Sequence, residues 1–292
     1  MNETYVIGIL TANRPEFLYN LMKSLDFTVN IKDSLVERLI MVNDGDNKNL
    51  EFPRNYLTSI QDPTKKGKFI LCDHKENLGI AKSKNEILSI FMQHCKSDYL
   101  FLIEDDVVIK NPKIFNEYIN ISNLTGFQHL IWGSGGPNNI KTMDKIILPD
   151  PRYTITYKEK DTEIEHDVLF FKHCVGMFCL YTRKYLEKVG AFDEEYKNAV
   201  EHIDHSFKGA TVDMIPGYGV WPDSEESFYC LDDQDRDLSH SSTRNFTEYE
   251  KNVMNGFRRF NSLYGFSPTT FPEITLTELQ ERCKLIKELS VK

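Results

Sequence analysis

Short apolar runs alternate with amphipathic segments through the first 125 residues of the chain. Four of the runs have the length and apolar content of buried strands, and they cover residues 5–10, 36–42, 68–72 and 98–103. Segments with apolar residues at helical spacing begin near Pro15, Ile80 and Asn111, and Pro15 suits the first position of a helix. Strands that alternate with helices predict an α/β fold, with a mostly parallel sheet covered by helices on both faces.

The second half of the chain is less regular, and its strand-like runs are short. They cover residues 129–132, 145–148, 153–157, 168–171 and 177–181. A short helix is predicted to begin at Thr182 and to end at Gly190, because glycine commonly follows the last turn of a helix. Residues 223–237 contain seven acidic residues and one arginine, a composition that predicts a loop.

Two capping-box patterns mark the predicted starts of the last two helices. Thr247 with Glu250, and Thr275 with Glu278, have the spacing in which the two side chains cap the first turn reciprocally. We find no internal repeat, low-complexity linker or domain boundary in the sequence. The chain is therefore predicted to form one continuous domain.

The composition is that of a soluble globular protein with a sizeable core, since 40% of the 292 residues are apolar and 27% are charged. No stretch approaches the roughly 20 apolar residues that span a bilayer. The acidic N-terminus lacks the basic region and the cleavage site of a signal peptide. The six cysteines show no CxxC spacing, which favours buried, reduced thiols. We therefore expect a cytoplasmic protein.

The formal net charge of −9 argues against a nucleic-acid partner, because phosphate backbones attract basic surfaces. For the same reason, a bound nucleotide diphosphate would need a cation close to it. Three polar clusters follow predicted strands, at residues 11–14, 43–46 and 104–106. Ligands of parallel sheets bind at the carboxyl ends of the strands, so we expect these clusters to converge in space.

The strongest signal for chemistry is Glu104-Asp105-Asp106, directly after the fourth strand. Three successive carboxylates repel one another unless a cation lies among them. Mg²⁺ and Mn²⁺ bind carboxylate oxygens together with substrate phosphates. A solvated acidic turn before the next helix explains the cluster equally well, because a helix N-terminus favours negative charge. These residues alone leave both interpretations open.

The chain resembles the nucleotide-binding half of family 2 glycosyltransferases in five segments: YVIGILTANRP, IMVNDGD, ENLGIAKSKNEIL, DYLFLIEDDVVI and VGAFDEEY. These segments lie within residues 4–210, in the order and spacing typical of the family. The family has the GT-A fold and an Asp-x-Asp type metal motif. The resemblance implies an inverting transfer, dependent on Mn²⁺ or Mg²⁺, of a hexosyl or N-acetylhexosaminyl group. The donor is a nucleotide diphosphate sugar, UDP by expectation, and the acceptor a hydroxyl.

The resemblance also implies roles for residues that match the family's motifs. Asp44 resembles the carboxylate that accepts a hydrogen bond from the nucleobase, and Asn43 stands where many members have an Asp. Asp106 is the implied metal ligand, with His240 from a late loop as a second ligand. The other implied donor-binding residues are Thr11, Arg14, Asn77, Lys82, Glu104, Asp105 and Gly176. Without the resemblance, Lys82 and Lys84 are typical solvated helix lysines, and His240 an exposed loop histidine.

The general base is expected within Glu201-His202-Ile203-Asp204. Relatives often have Glu-Asp-x-Asp here, and one of those carboxylates removes the acceptor proton. His202 replaces the usual second Asp, and imidazole is itself capable of this step because it titrates near neutral pH. A plain alternative is that His202 only pairs with a neighbouring carboxylate. Glu201, His202 and Asp204 all remain candidates, with Glu201 preferred.

Taken together, residues 1–125 are expected to bind the nucleotide sugar and residues 126–292 the acceptor. By analogy, the acceptor is a glycan or a lipid-linked glycan of a bacterial surface polysaccharide. The protein is then expected in the cytoplasm, with possible peripheral association at the inner face of the membrane. Residues 223–245 are expected to close over the donor as a lid.

Two other functions compete with this interpretation. A sugar-nucleotide pyrophosphorylase has a related sheet, but it usually carries a Gly-rich phosphate loop after the first strand. Residues 11–15 contain no glycine, which disfavours this class. The second competitor is a non-catalytic glycan- or nucleotide-binding protein on a transferase scaffold, which the unusual His202 would permit.

Overall fold

The computed structural model describes residues 3–29, 35–46, 50, 68–74, 76–133, 140–141, 146–147, 150–217, 219–235 and 248–291. The strands are β1 (Tyr5–Thr11), β2 (Val36–Asn43), β3 (Phe69–Asp73), β4 (Tyr99–Glu104), β5 (Val107–Ile109), β6 (His129–Ile131), β7 (Ile140–Lys141), β8 (Ile146–Ile147), β9 (Tyr153–Lys158), β10 (Glu165–Phe171), β11 (Phe178–Thr182), β12 (Trp221–Ser224) and β13 (Leu231–Asp233). The helices are α1 (Pro15–Val29), α2 (Ile80–His94), α3 (Lys113–Thr125), α4 (Arg183–Val189), α5 (Glu201–Thr211), α6 (Ser227–Cys230), α7 (Tyr249–Tyr264) and α8 (Leu276–Ser290).

A six-stranded sheet in the order β3-β2-β1-β4-β11-β6 forms the centre of the molecule. β3, β2, β1 and β4 are parallel, and β11 is antiparallel to both β4 and β6. Alternate residues of the buried strands face opposite sides. Ile7 packs in a core cluster with α1 and α3, whereas Val6 packs in a second cluster with α2. The predicted α/β fold, mostly parallel and covered on both faces, is confirmed.

β1 to β4 begin and end within one residue of their predicted bounds, because each is a largely apolar run. The apolar stripe of α1 is buried as predicted, and the helix begins at Pro15. Thr182 and Gly190 are the N-cap and C-cap of α4, and Gly190 has a φ of +83°. These confirmed details all rest on short-range patterns in the chain.

The two predicted capping boxes have different outcomes. In α8, the Thr275 hydroxyl accepts from the backbone N–H of Glu278, and the Glu278 carboxylate accepts from the backbone N–H of Thr275. The prediction for α7 is wrong, because Glu248 occupies the N-cap position and makes no side-chain cap hydrogen bond. Thr247 lies outside the described residues.

The prediction of a loop at residues 223–237 is also wrong for the described part of that segment. Residues 221–224 form β12, which pairs with β10, and residues 231–233 form β13, which pairs with β5. The segment is acidic, but strand pairing holds it and its most buried carboxylate, that of Asp223, is fully hydrogen-bonded. Asp223 is fully buried and accepts hydrogen bonds from the Tyr118 hydroxyl, the Gly133 backbone N–H and the Ser227 hydroxyl. Residues 221–224 and 231–233 are thus paired strands and not the loop from which a lid was expected, and residues 236–245 lie outside the described residues.

A buried histidine ties the antiparallel β9–β10 hairpin to α3. The Nδ1 atom of His166 lies 2.8 Å from Glu117 Oε1, and its Nε2 atom lies 3.0 Å from Glu159 Oε1. Burial lowers the pKa of His166, but the hydrogen bonds and charges of the two carboxylates outweigh burial, so its pKa is raised. Its stabilisation is therefore fully present below the unfolded-state pKa of about 6.5 and is lost as pH rises through the folded-state pKa.

Substitution of His166 should reveal this pH dependence. We expect His166→Gln to lower the free energy of unfolding by about 1–2 kcal/mol at pH 6, because charged hydrogen bonds contribute on this scale. At pH 9 the loss should be much smaller, since neither protein then carries the positive charge. Urea denaturation at both pH values measures the difference. An equal loss at pH 6 and pH 9 would contradict the charged pairing.

The structure contains no helix, within the part of the chain that it describes, that is long and apolar enough to cross a membrane. All six cysteines have free thiols, of which four are buried and two, Cys72 and Cys174, are half-buried.

Candidate active site

A cavity of about 420 Å³ opens at the carboxyl ends of β1 and β4. Two of the predicted clusters, residues 11–14 and 104–106, line it, together with Asp44 from the third. This is the convergence expected of a parallel sheet, because these strands end at one edge. Helix α5 and the segment before β11 form other parts of the wall, and α7 adds Tyr249, Val253 and Phe257. The volume suits a small-molecule ligand.

The two aspartates of the acidic cluster are buried and engaged by Arg14. Asp105 accepts a hydrogen bond of 2.7 Å from the Thr11 hydroxyl and a second one from Arg14 Nη2. Asp106 Oδ2 accepts one of 3.0 Å from Arg14 Nη1. These contacts bring Thr11 and Arg14 to the acidic cluster, as the expected convergence of residues 11–14 and 104–106 requires.

Burial raises the pKa of Asp106 to about 8, and the negative charges of Glu104, Asp105 and Asp233 add to this effect against the attraction of Arg14. Burial also raises the pKa of Asp105, although Arg14 and the Thr11 hydroxyl oppose it. Both carboxylates therefore favour an additional cation nearby. The interpretation of the cluster as a solvated acidic turn is wrong for Asp105 and Asp106, because both are buried.

Two further carboxylates join this cluster, one at the last residue of β13 and one two residues later, and the sequence analysis did not assign them to the site. Asp233 and Asp235 line the cavity, and Asp235 Oδ2 lies 3.9 Å from Arg14 Nη1. Gln234 fixes the segment, because its backbone N–H donates to Asp106 O at 2.8 Å and its side chain donates to Asp105 O at 3.1 Å. The acidic composition was visible in the sequence, but the pairing of β13 with β5 was not.

The donor set fits a divalent ion that arrives with phosphate groups. Asp106 Oδ1 is buried and accepts no hydrogen bond from any residue that the structure describes. Among the residues that the structure describes, no group of three His, Cys, Asp or Glu side chains is placed to hold a metal ion without further ligands. Mg²⁺ and Mn²⁺ sites of nucleotide enzymes commonly use one or two carboxylates and complete their shell with substrate phosphates and water. The predicted second ligand, His240, lies outside the described residues.

Asp44 lies at the N-terminus of α2 and has several partners. Its Oδ1 atom accepts from the Leu78 backbone N–H at 2.7 Å, and its Oδ2 atom accepts from that of Gly79 at 2.9 Å. Asn77 lines the cavity and donates to Asp44 O at 2.8 Å. Asp44 thus stabilises the start of α2 as well as facing the cavity.

His74 is a partner of Asp44 that sequence reasoning missed. Its Nδ1 atom lies 2.7 Å from Asp44 Oδ1 and its Nε2 atom 2.5 Å from Glu86 Oε2. Burial lowers the pKa of His74, but the two carboxylates outweigh burial and raise it overall. Asn43 lies beneath the cavity, fully buried, and its amide donates to Asp73 Oδ1 at 2.9 Å and to Gly45 O at 3.1 Å. Asn43 therefore shapes the turn that carries Asp44 and does not line the cavity.

The two lysines of α2 have opposite environments. Lys82 is exposed and does not line the cavity, so its predicted approach to ribose or phosphate is not seen in this arrangement. Lys84 is 1% exposed, and its Nζ atom lies 3.1 Å from Glu104 Oε1 and 3.0 Å from Glu201 Oε1. The interpretation of Lys84 as a solvated lysine is wrong, because its partners lie on β4 and α5 and become neighbours only in the fold.

The candidate bases lie on α5. Glu201 is buried, and its Oε1 atom contacts both Lys84 Nζ and, at 3.2 Å, His202 Nδ1. Burial raises the pKa of Glu201, but the charges of Lys84 and His202 outweigh burial and hold it well below its usual range. The side chain of His202 is 24% exposed and lines the cavity. A side chain on Gly176 would meet both His202 and Lys84 at 3.2 Å, so this glycine leaves room for the pair.

The backbone immediately before Glu201 is strained. Val200 lines the cavity and has a φ of +74°, in the left-handed region that β-branched residues avoid. Such a conformation costs about 1–3 kcal/mol and is typically held by surrounding structure at functional sites. The strain therefore supports α5 as part of a functional wall of the cavity.

Asp204 lies on another face of α5, and the cavity does not include it. Its Oδ1 atom accepts from the Tyr264 hydroxyl at 2.7 Å and the Tyr196 hydroxyl at 3.3 Å, and its Oδ2 atom lies 2.7 Å from Lys208 Nζ. These contacts fasten α5 to α7. The structure thus separates Asp204 from Glu201 and His202, with which it shares a helix.

This placement predicts a purely structural effect for Asp204→Asn. The amide cannot accept from both tyrosines and also pair with Lys208, so we expect a loss of about 2 kcal/mol in the free energy of unfolding. Turnover per folded molecule should change by less than about threefold, because no contact to the cavity is removed. Urea denaturation measures the first quantity, and nucleotide release by the variant at low temperature measures the second. A large loss of turnover in fully folded protein would return Asp204 to the site.

No protein-family model matches the sequence, and no curated protein matches it either. Similar solved structures include GalNAc-T7 with UDP, GalNAc and Mn²⁺, at 13% identity and a TM-score of 0.49, covering 71% of this chain and 40% of that one. The mannosyltransferase PcManGT from Pyrobaculum calidifontis, in complex with GDP-Man and Mn²⁺, has 12% identity and a TM-score of 0.47, covering 73% of this chain and 53% of that one. S. aureus TarS 1–349 has 14% identity and a TM-score of 0.48, covering 99% of this chain and 81% of that one.

This chain thus spans about half or less of GalNAc-T7 and PcManGT. Similarity of this extent does not carry an activity, since one fold hosts many chemistries. The function must be argued from the cavity of this chain.

Proposed function

We propose that this chain is a metal-dependent, inverting glycosyltransferase of family 2, which transfers a sugar from a nucleotide diphosphate donor, UDP by preference, to an acceptor hydroxyl. The observation that carries the proposal is a cavity whose wall combines two kinds of chemistry. Buried Asp105 and Asp106, held by Arg14, lie in one part of the wall, and the His202–Glu201 pair lies in another. Glycosyl transfer needs both a cationic site for the leaving diphosphate and a base for the acceptor.

The donor half of the cavity is proposed to consist mainly of residues from the first 125 positions. Thr11, Arg14 and Asp105 hold one another and are proposed to border the ribose and phosphates. Asp44, which lines the cavity next to Asn77, is proposed to accept a hydrogen bond from the nucleobase. Gly176 and Glu104 line the cavity near Lys84 and are proposed to border the donor sugar.

Asp106 is the residue proposed to hold a divalent ion, and His240 stays a candidate second ligand. When bound, Mn²⁺ or Mg²⁺ would supply positive charge to the diphosphate as it leaves. Asp106 would bind through Oδ1, the buried oxygen that accepts no hydrogen bond from the described residues. Arg14 already supplies one positive charge at this end of the cavity, which suits a chain with a net charge of −9.

Among the candidate bases, we favour His202, with Glu201 as its orienting partner. Glu201 is buried and its pKa is held low chiefly by Lys84, and a carboxylate of low basicity is a poor proton acceptor. His202 reaches the cavity, and its contact to Glu201 through Nδ1 directs proton acceptance to Nε2. The acceptor O–H proton moves to Nε2 while the acceptor oxygen bonds to the anomeric carbon. The bond from that carbon to the diphosphate oxygen breaks, and the diphosphate departs with the electron pair.

The acceptor is proposed to bind on the side formed by residues 126–292 and to be a glycan or a lipid-linked glycan of a bacterial surface polysaccharide. Transfer to a lipid-linked acceptor would take place in the cytoplasm, at the inner face of the membrane. The α7 residues in the cavity wall, Tyr249, Val253 and Phe257, add apolar surface on that side. Sugar rings commonly pack on such surface.

Incubation with a panel of UDP-sugars and Mn²⁺, with and without candidate acceptors, tests the proposal. Release of UDP that depends on enzyme and metal supports a glycosyltransferase. Pyrophosphate-dependent exchange of the nucleotide would instead identify a pyrophosphorylase. Binding of UDP-sugars in a thermal-shift assay, without any release under all acceptor conditions, would identify a non-catalytic binding protein.

A further inference from the structure

We propose that Lys84 is a positioning residue for the transfer. It holds Glu201, and through Glu201 the imidazole of His202, in a fixed position relative to the acidic cluster. This inference rests on the proposed function, since it concerns the same cavity. It assigns a role to a residue whose sequence context indicated only a solvated helix lysine.

The first argument is where Lys84 lies relative to the cavity. Its ammonium is 1% exposed and does not line the cavity, whereas both of its carboxylate partners, Glu104 and Glu201, do. The ammonium is therefore behind the wall. It cannot serve as a direct phosphate contact in this arrangement, and any effect that it has on bound ligands must pass through its partners.

The second argument is the sequence of charges that Lys84 connects. Glu104 directly precedes Asp105 and Asp106 on the chain, and Lys84 Nζ lies 3.1 Å from Glu104. The same ammonium lies 3.0 Å from Glu201, which in turn lies 3.2 Å from His202 Nδ1. One buried cation thus joins the metal-motif strand to the helix that carries the base. Movement of the base relative to the leaving group would require this double ion pair to break.

The third argument is energetic. Burial of an ammonium is unfavourable unless opposite charges surround it, and Lys84 is surrounded by two carboxylates and lies over the Phe192 ring at 5.6 Å. Burial lowers the pKa of Lys84, but Glu201 and Glu104 outweigh burial and raise it, so the residue stays charged. Removal of one member of such a cluster leaves a buried charge without compensation. The geometry of Glu201 is therefore fixed by Lys84 as much as by its own helix.

Near Gly176 the fit around Lys84 is close. The position that a Cβ atom would occupy on Gly176 lies 3.2 Å from Lys84 Nζ and 3.2 Å from His202 Cβ. The absence of a side chain here allows the Lys84 ammonium and the His202 side chain to pack against the same stretch of backbone. A displacement of about 1 Å in such an arrangement can reduce turnover by about 10²-fold.

A double-mutant cycle tests the proposal in the full-length chain: Lys84→Met, Glu201→Gln, the double variant Lys84→Met/Glu201→Gln, and Lys84→Arg as the conservative variant. If Lys84 acts through Glu201, each single change should lower kcat by about 10²-fold, and the double variant should be no worse than Glu201→Gln alone. Affinity for UDP with Mn²⁺, measured by calorimetry, should change by less than about twofold, because Lys84 does not reach the nucleotide. Lys84→Arg should restore most of kcat.

The double variant also guards against a folding defect, because it removes the buried charge that Lys84→Met alone leaves on Glu201. Multiplicative losses in kcat, a loss of UDP affinity in Lys84→Met, or kcat per folded molecule equal to that of the wild type would each overturn the proposal. Wild-type protein that releases no UDP from any donor would refute the proposed function itself, and the cycle would then have no activity to compare. The two failures are therefore distinguishable.

Discussion

Asp106→Asn is expected to lower metal-dependent kcat by about 10³-fold and to leave the chain folded. The carboxylate that would hold the ion is lost. The amide oxygen can still accept from Arg14 Nη1, which lies 3.0 Å from Asp106 Oδ2 in the wild-type protein. Stability should not fall, because burial and the neighbouring acids already raise the pKa of Asp106 to about 8, and a neutral side chain relieves that repulsion. Steady-state release of UDP and thermal unfolding measure the two effects.

A matched control is Asp213→Asn, which also removes one carboxylate from an arginine pair. Asp213 Oδ1 lies 3.2 Å from Arg282 Nη2 and is not part of the cavity wall. We expect kcat within about twofold of the wild type for this variant, because surface pairs contribute little and no site contact changes. Near-normal turnover of Asp106→Asn would remove Asp106 from the metal site.

His202→Ala is expected to lower kcat by about 10³-fold, within the range by which a general base accelerates transfer. The affinity for UDP with Mn²⁺ should be almost unchanged, because His202 lies with Glu201 and not with the Arg14 cluster. Folding should also survive, since the imidazole is partly exposed and its removal leaves Glu201 paired with Lys84. Pre-steady-state transfer to an acceptor gives the chemical step directly.

His94→Ala is the matched control for this substitution, because His94 is an exposed histidine at the end of α2, away from the cavity. Its kcat should equal that of the wild type. If His202→Ala transfers sugar at a normal rate while Glu201→Gln does not, then Glu201 itself is the base and the assignment of His202 is incorrect.

The fold was predictable where short-range patterns determine it. Continuous apolar runs gave β1 to β4 almost to the residue, and the apolar stripe of α1 gave its buried face. The convergence of the acidic cluster with Thr11 and Arg14 followed from a general property of parallel sheets. β5 and β13 were not predicted, because each has only three residues and each is stabilised by pairing with the other.

Site residues that belong to one motif at the end of a strand could be predicted from the sequence. Site residues that meet only because distant elements pack together could not. Lys84 is indistinguishable from Lys82 in a helical pattern, and only the fold brings Glu104 and Glu201 to it. His74 follows β3, and it contacts Asp44 after β2 and Glu86 on α2. Only the fold brings these three residues together. Asp204 shares a helix with His202, but the helical rotation between them turns it toward Tyr196 and Tyr264.

The central claim is that the buried carboxylates at the end of β4 hold a divalent ion that binds the donor's diphosphate. A crystal structure with UDP and Mn²⁺, with diffraction recorded at the manganese absorption edge, tests it most directly. We predict one anomalous peak within bonding distance of Asp106 and of the diphosphate oxygens, in the cavity between Arg14 and α5. A peak elsewhere on the protein, or UDP bound with its phosphates away from Asp106, would contradict the account.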